Sequence, residues 1–150
     1  MKRLFPVVIF YLLPFFILGG DFKFRNYTIK DGLAHNAISQ IIQDKDGFIW
    51  IATGDGLSKF DGNNFYNYRP SLIKGKQGLQ GNRVGALTED KKGNIWMVVE
   101  QQGIDIYDKQ QDKIINYLQP ERKFEQNFSE SIIFCSSDSN IWYTRSDGSL

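Results

Sequence analysis

The chain has 150 residues, with 18 Lys and Arg against 17 Asp and Glu, and a formal net charge of +1. This near balance gives no electrostatic reason to expect a nucleic-acid partner, and no nucleic acid is expected to bind this segment. Aromatic residues make up 15% of the chain and fall in short β-type runs, which favours packed sheets over a base-stacking surface. The single cysteine, Cys135, excludes an intrachain disulfide and ends an apolar run, so we expect a small buried strand residue.

The first twenty residues differ in composition from the rest of the chain. A short positive region is followed by an uncharged apolar run over residues 4–18 and by two glycines. This layout is typical of a secretory signal peptide, and the run is shorter than the ~20 residues that a membrane-spanning helix needs. We therefore expect residues 1–20 to be a signal peptide, with an uncleaved N-terminal anchor as the alternative, and residues 21–150 to be exported.

The pattern of residues 22–28 predicts a single β-strand that is not followed by the other strands of a repeat. The segment Phe24-Arg-Asn-Tyr27 has the same Phe-x-x-Tyr form as residues 65–68, which end the first repeat described below. In a ring of four-stranded sheets, an isolated strand of this kind can complete the last sheet. We therefore expect a closing strand over residues 22–28.

Residues 36–68 predict four short strands joined by tight turns, which is an antiparallel meander. Asp44 and Gly47 stand at the first and fourth positions of a turn, which suits a type I turn with a left-handed glycine. The strand over residues 48–53 is apolar on both faces, so we expect it to be covered on both sides, with Trp50 in the core.

This unit recurs with a period of 46 residues, marked by Trp50, Trp96 and Trp142. A second unit over residues 82–117 repeats the strand order, and a weaker third unit covers residues 128–150. We expect all three tryptophans to pack in the core. The repeated residues form a structural signature: Gly47, Trp50, Gly56, Asp61, Gly93, Trp96, Gly103, Asp108 and Trp142.

Four-stranded sheets at a period of about 40–50 residues predict an all-β fold of β-propeller blades, which needs roughly 4–8 blades to close. About two and a half blades cannot close. We therefore expect residues 21–150 to be an incomplete open ring whose remaining blades belong to a longer chain. The two open ends would leave apolar faces in contact with water, which favours association.

The sequence pattern assigns no catalytic, cofactor-binding, metal-binding or ligand-binding residue. The isolated His35 has no partner at metal-ligand spacing and is expected to form a hydrogen bond within its loop. Gly47 and Trp50 have the spacing found in sialidase turns, but the aspartates are displaced by one residue, which counts against a sialidase. Five aspartates at turn positions are interpreted as turn caps, because Asp bonds to its own backbone there: Asp44, Asp46, Asp61, Asp90 and Asp108.

The pattern Asn-x-Ile-x-x-Ile-x-Gln-Asp-x-x-Gly-Phe-Ile-Trp-Ile-Ala-Thr over residues 36–53 resembles the two-component regulator propeller repeat. The following Gly56-Leu57 and Phe60-Asp61-Gly62 fit the same repeat, and residues 27–36 resemble the usual start of its first blade. The resemblance is strong over residues 22–118 and weak over residues 128–150.

The resemblance implies the periplasmic sensor region of a hybrid two-component system histidine kinase. It also implies oligosaccharide ligands derived from glycans, a homodimeric parent sensor, and kinase and DNA-binding regions that this chain does not contain. The chain itself would then be no enzyme and would lie on the periplasmic side of the inner membrane, with secretion or N-terminal anchoring as alternatives. Two other functions stay open: the start of a secreted propeller hydrolase or lyase, and a non-enzymatic secreted interaction propeller.

Overall fold

The computed structural model describes residues 23–72, 77–118 and 132–144. The predicted signal peptide, residues 1–20, lies outside the described residues. Within these ranges the chain forms ten β-strands and one 3₁₀ turn, Ile29–Asp31. The strands are β1 Ile38–Gln43, β2 Ile49–Thr53, β3 Gly56–Phe60, β4 Phe65–Tyr68, β5 Val84–Glu89, β6 Ile95–Val99, β7 Gly103–Asp108, β8 Lys113–Leu118, β9 Ile133–Cys135 and β10 Ile141–Tyr143.

The strands form three antiparallel sheets in which sequence neighbours pair with one another. Strands β1 to β4 form blade 1, β5 to β8 form blade 2, and β9 with β10 forms the two-stranded blade 3. Blade 1 lies against blade 2 and blade 2 against blade 3 through strands β1, β5 and β9. The all-β fold of four-stranded antiparallel meanders is therefore confirmed. The described residues contain no helix long and apolar enough to span a lipid bilayer.

Blades 1 and 2 share an apolar core built from alternating residues of their facing strands. Trp50 and Ala52 of β2 belong to the same buried cluster as Ile95, Met97 and Val99 of β6. Each of the five side chains is at most 1% exposed. Burying one large apolar side chain contributes on the order of 1.5–3 kcal/mol, so the contact between blades is a main source of stability.

Blade 2 uses its opposite face to pack against blade 3. Ala86, Val98 and Ile104 form this second core with Ile133 of β9, and Ile141 of β10 packs against it. Because successive side chains alternate across a strand, β6 supplies residues to both cores. Blade 2 is therefore covered on both faces, as its continuous apolar pattern predicts.

The prediction that all three tryptophans pack in the core is correct for Trp50 and Trp96 and wrong for Trp142. Trp50 is 1% exposed, Trp96 is half-buried, and Trp142 is 50% exposed. Trp50 lies in the core that blade 1 shares with blade 2, and Trp96 packs into the core that blade 2 shares with blade 3. Among the described residues no sheet covers the corresponding face of blade 3, which is why the prediction is wrong for Trp142.

The segment before blade 1 differs from the predicted closing strand over residues 22–28. The structure assigns no strand to residues 23–28. Tyr27 instead packs against the rings of Phe60 and Phe65, with centroid distances of 4.9 and 5.6 Å. A strand needs a hydrogen-bonded neighbour, and the described residues place none beside this segment. Its role in closing a ring stays a prediction.

Cys135, predicted as a buried strand residue, ends β9 and is only partly buried. Its backbone N–H donates to Oγ1 of Thr88 in β5 at 3.2 Å, which joins blade 3 to blade 2. The thiol lies at the end of a two-stranded sheet, where fewer side chains surround it than in blades 1 and 2.

Candidate functional site

Asp44 organises both the β1–β2 turn and the tryptophan that follows it. Its Oδ1 accepts the backbone N–H groups of Asp46 at 3.0 Å and Phe48 at 2.9 Å. Its Oδ2 accepts the indole N–H of Trp50 at 2.7 Å. Gly47 completes the turn with φ of +92°, a backbone conformation that glycine adopts without strain. One carboxylate therefore closes the turn and fixes the buried indole.

The β5–β6 turn repeats this arrangement around Asp90. Its Oδ1 accepts the backbone N–H groups of Lys92 and Asn94, and its Oδ2 accepts the indole N–H of Trp96 at 3.0 Å. Gly93 has φ of +90°. Burial by itself would raise the pKa of Asp90, but the hydrogen bonds from Trp96, Asn94 and Lys92 outweigh it, so the pKa lies below its ordinary value.

The β9–β10 turn keeps the backbone geometry without the carboxylate. The N–H of Ser139 donates to the carbonyl of Ser136 at 3.0 Å, and Ser139 has φ of +71° where the other turns have glycine. Ser136 replaces the aspartate, and its short hydroxyl bonds to Asp138. Within the described part of the chain, no acceptor faces the indole N–H of Trp142. This turn therefore lacks the bond between a carboxylate and an indole that the other two turns have.

The other signature residues also form turns. Gly56 and Gly103 begin β3 and β7 with φ of +109° and +125°. Asp61 and Asp108 each accept two backbone N–H groups of the turn that follows. Hydrogen bonds lower the pKa of Asp61, and the bond from the backbone N–H of Asn64 has the largest effect.

Asp46 is the exception among the five aspartates predicted as turn caps. Its carboxylate forms an ion pair with Lys109 of blade 2 instead of a bond to its own turn. A second contact between neighbouring turns repeats along the chain, since Lys45 Nζ donates to the carbonyl of Lys91 at 3.0 Å and Lys91 Nζ donates to the carbonyl of Ser137. The turns at this end therefore link neighbouring blades through lysine side chains.

The opposite end of blades 1 and 2 carries a group of polar side chains, all but Glu100 well exposed, here named the polar loop edge: Asp55, Arg69, Asn82, Arg83 and Glu100. Asp55 accepts from Arg69 Nε at 3.0 Å and from Asn82 Nδ2 at 3.0 Å. Arg83 and Glu100 form an ion pair at 3.2 Å. Sequence reasoning missed this edge because the bonded partners of Asp55 lie 14 and 27 residues away.

Two features border the polar loop edge. In the β6–β7 loop, Gln101 has φ of +60°, which costs a non-glycine residue on the order of 1–3 kcal/mol. His35 lies near Gly54 of the β2–β3 turn, and its Nδ1 accepts the backbone N–H of Ala37 at 2.9 Å. The predicted loop hydrogen bond of His35 is therefore confirmed.

Buried polar residues hold the connections that lead into each blade. Asp105 is fully buried and accepts from the backbone N–H of Gln80 at 2.8 Å, from its side-chain Nε2 at 2.7 Å, and from Asn116 Nδ2 at 2.8 Å. Burial raises the pKa of Asp105, and these hydrogen bonds offset part of the effect. Ser58 has the same place in blade 1 and accepts the backbone N–H of Ala34 at 3.0 Å.

The chemistry of these groups suits a scaffold with a recognition surface. The carboxylates of Asp44, Asp90 and Asp105 are occupied by donors from their own blades or the adjoining connections. Across the ranges that the structure describes, no group of three or more His, Cys, Asp or Glu side chains could hold a metal ion.

Two apolar faces at the ends of the series of blades are open. Ile41 of β1 is 55% exposed, whereas Leu87, at the same position in blade 2, is 2% exposed because blade 1 covers it. The far face of blade 3 carries an open apolar depression of about 350 Å³. Its lining residues are Ile132, Phe134, Trp142 and Tyr143.

Comparisons with known proteins agree with this architecture. The family model described as two component regulator propeller matches residues 32–55 and 78–100. Histidine kinase P4 of Formosa agariphila is 40% identical over 67 residues, which cover 43% of this chain and 5% of that protein. The crystal structure of the extracellular domain assigned to a hybrid two-component system of B. thetaiotaomicron is similar with a TM-score of 0.67 and 28% identity. That match covers 80% of this chain and 17% of the other chain, so this chain spans a small part of both relatives.

Proposed function

We propose that this chain, which carries two-component regulator propeller repeats, is part of the periplasmic ligand-sensing propeller of a longer hybrid two-component sensor. The observation that carries the proposal is the stepwise packing of blades 1 to 3 over most of the described chain. The same architecture occurs in the extracellular domain of a similar two-component system. In this role the chain recognises a ligand and catalyses no reaction, and the kinase belongs to the longer protein.

The polar loop edge is the proposed surface for the ligand, and the proposed ligand is an oligosaccharide released from a glycan. Asp55 and Arg83 offer a charged acceptor and a charged donor, and Asn82 offers an amide. Sugar hydroxyl groups both donate and accept hydrogen bonds, so they match such a mixed set of groups. The edge joins loops of blades 1 and 2, so a bound ligand would contact both blades.

The proposed signal is a change in the relative position of two sensor subunits. A ligand that binds one arrangement of the subunits more tightly shifts the equilibrium toward it by its differential affinity. The shift would be transmitted across the membrane to the kinase of a homodimeric parent protein. The rigid contacts between neighbouring blades would let the propeller move as one body.

The proposal is tested with the product of the complete coding sequence, purified in lipid nanodiscs. Calorimetric titration with starch-, xylan-, pectin- and alginate-derived oligosaccharides is followed by chromatography of the mixture. We expect at least one oligosaccharide to bind and to be recovered intact. Asn82→Ala is expected to weaken that binding about tenfold, whereas Lys113→Ala, a half-exposed change on β8, is the matched control. Cleavage of the oligosaccharide would instead support the hydrolase or lyase alternative.

A further inference from the structure

Lys59 of β3 places its ammonium group among three aromatic rings. The Nζ atom lies 4.0 Å from the ring centroid of Phe48, 5.2 Å from that of Trp50 and 5.5 Å from that of Tyr107. A cation within about 6 Å of an aromatic face is attracted by the ring quadrupole. Phe48 and Trp50 belong to blade 1, whereas Tyr107 belongs to β7 of blade 2. The rings therefore form a cage at the junction of the two blades, here named the junction cage.

The walls of the junction cage are held by bonds that do not involve Lys59. The indole of Trp50 is fixed by Asp44 at 2.7 Å, and the hydroxyl of Tyr107 donates to Asp112 at 2.7 Å. The rings of Trp50 and Tyr107 also contact each other, with centroids 4.7 Å apart. Trp50 and Tyr107 are 1% and 3% exposed. The cage is therefore preorganised, and loss of the lysine would leave at least these two walls in place.

Lys59 is held in the cage by the rings rather than by a carboxylate. In the described ranges the ion pairs of the chain involve Arg69, Arg83 and Lys109, and Lys59 forms none. Its position in β3 is directly opposite Trp50 in the strand register. The ammonium group is thus stabilised by cation–π contacts with aromatic faces. Proteins recognise organic ammonium ligands by the same contacts.

The next junction shows that the cage is not a general consequence of the repeat. Ile106 has the position of Lys59 in blade 2, because it is paired with Trp96 in the strand register. Asn94, two residues before Trp96, has the position of Phe48, and it bonds to the Asp90 carboxylate. Blade 2 therefore lacks both the cation and one wall. The junction cage results from two residues that are particular to blade 1.

We propose that Phe48, Trp50 and Tyr107 form a binding site for an organic ammonium group, which the chain fills with its own Lys59. A ligand with a primary or quaternary ammonium group competes with the lysine side chain for the same three rings. The occupied site is thus autoinhibited, and displacement of Lys59 by a ligand would change the contact between blades 1 and 2.

The test uses the whole chain and tetramethylammonium chloride as the probe. NMR follows the indole N–H signals of Trp50 and Trp96 during titration of the wild type, Lys59→Ala and Lys59→Met. We expect a saturable shift of the Trp50 signal in Lys59→Ala, with an affinity about tenfold higher than in the wild type. Lys59→Met is the matched control, because an uncharged side chain of similar length fills the cage and should block the probe. In Ile106→Ala, addition of the probe should not shift the Trp96 signal.

Two results would overturn the proposal. One is a folded Lys59→Ala chain whose Trp50 signal does not respond to the probe, or responds no more strongly than that of the wild type. The other applies if Lys59→Ala does not fold without the probe. We then expect tetramethylammonium chloride, but not sodium chloride at the same concentration, to restore the dispersed spectrum. Equal effects of the two salts would contradict an ammonium site.

Discussion

The carboxylate of Asp44 accepts a hydrogen bond from the indole N–H of Trp50 at 2.7 Å, six residues further along the chain. The same bond joins Asp90 to Trp96. It explains why the aspartate, the glycine and the tryptophan recur at fixed spacing. The aspartate closes the turn, the glycine takes the left-handed position within it, and the tryptophan is brought back over the carboxylate. The signature is therefore one hydrogen-bonded unit rather than three separate preferences.

Replacement of Asp44 by alanine is expected to destabilise the chain by about 1–3 kcal/mol, because the buried indole N–H of Trp50 would lose its acceptor. Asp46→Ala is the matched control in the same turn, since it removes only a partly exposed ion pair with Lys109 and should cost less than about 1 kcal/mol. Urea unfolding followed by tryptophan fluorescence measures both. Equal losses would show that the indole bond is not what stabilises the turn.

Gly56→Ala is expected to destabilise blade 1 more than Gly62→Ala. Both glycines have positive φ, +109° and +99°, so both variants carry backbone strain. At Gly56 a Cβ would lie 2.3 Å from the carbonyl oxygen of Tyr68, whereas at Gly62 it would meet nothing within 4 Å. The steric clash should add about 1–3 kcal/mol to the cost at Gly56. Thermal melts of the two variants measure the difference, and similar melting temperatures would contradict the close approach to Tyr68.

Ser139→Gly is expected to stabilise blade 3, because Ser139 occupies φ of +71° where the equivalent turns have glycine. The gain should be on the order of 0.5–1 kcal/mol, since a left-handed residue other than glycine is strained. Amide hydrogen exchange of Phe134 and Trp142, which are paired across the two strands, should slow. Ser137→Gly, a change in the same turn, should not slow this exchange, and slowing in both variants would point to a cause other than the backbone at position 139.

The pH dependence of stability should show opposite contributions from two aspartates. Burial raises the pKa of Asp105 above its ordinary value of 3.8, so the folded state holds that proton more tightly than the unfolded state. Its contribution is present at low pH and is lost as the pH rises through the raised pKa. Hydrogen bonds lower the pKa of Asp90, so its contribution is present above 3.8 and is lost as the pH falls.

Urea unfolding of the wild type and of Asp105→Asn from acidic to neutral pH measures this contribution. The wild type should lose stability relative to the variant as the pH rises through the window above 3.8. A constant difference between the two chains across this range would contradict a raised pKa for Asp105.

Much of the fold can be predicted from the sequence, because blade strands and turns depend on local spacing. Asp44 and Gly47 define their turn within a few residues, and their repetition defines the blades. The exposure of Trp142 could not be predicted in this way, because it depends on whether another sheet lies against its face. The pairing of Asp46 with Lys109 likewise joins residues 63 positions apart in different blades.

The candidate sites were less predictable than the fold. The polar loop edge consists of loop residues that come together only when blades 1 and 2 are packed. The junction cage needs the register that places Lys59 opposite Trp50, and the blade contact that brings Tyr107 to them. The sequence predicts Phe48 as an apolar residue of the strand that contains Trp50. It does not predict that Phe48 forms a wall of the junction cage.

The most direct test of the proposed sensor function measures phosphorylation by the product of the complete coding sequence in membrane vesicles. Radiolabelled ATP is supplied on the kinase side, and the oligosaccharide that binds in calorimetry is supplied on the propeller side. We expect this oligosaccharide to change the rate of autophosphorylation several-fold. Asn82→Ala should shift the response to about tenfold higher concentration, whereas Lys113→Ala should not. A complete gene product that shows no autophosphorylation, or whose autophosphorylation is the same with and without the bound oligosaccharide, would contradict the proposed sensor function.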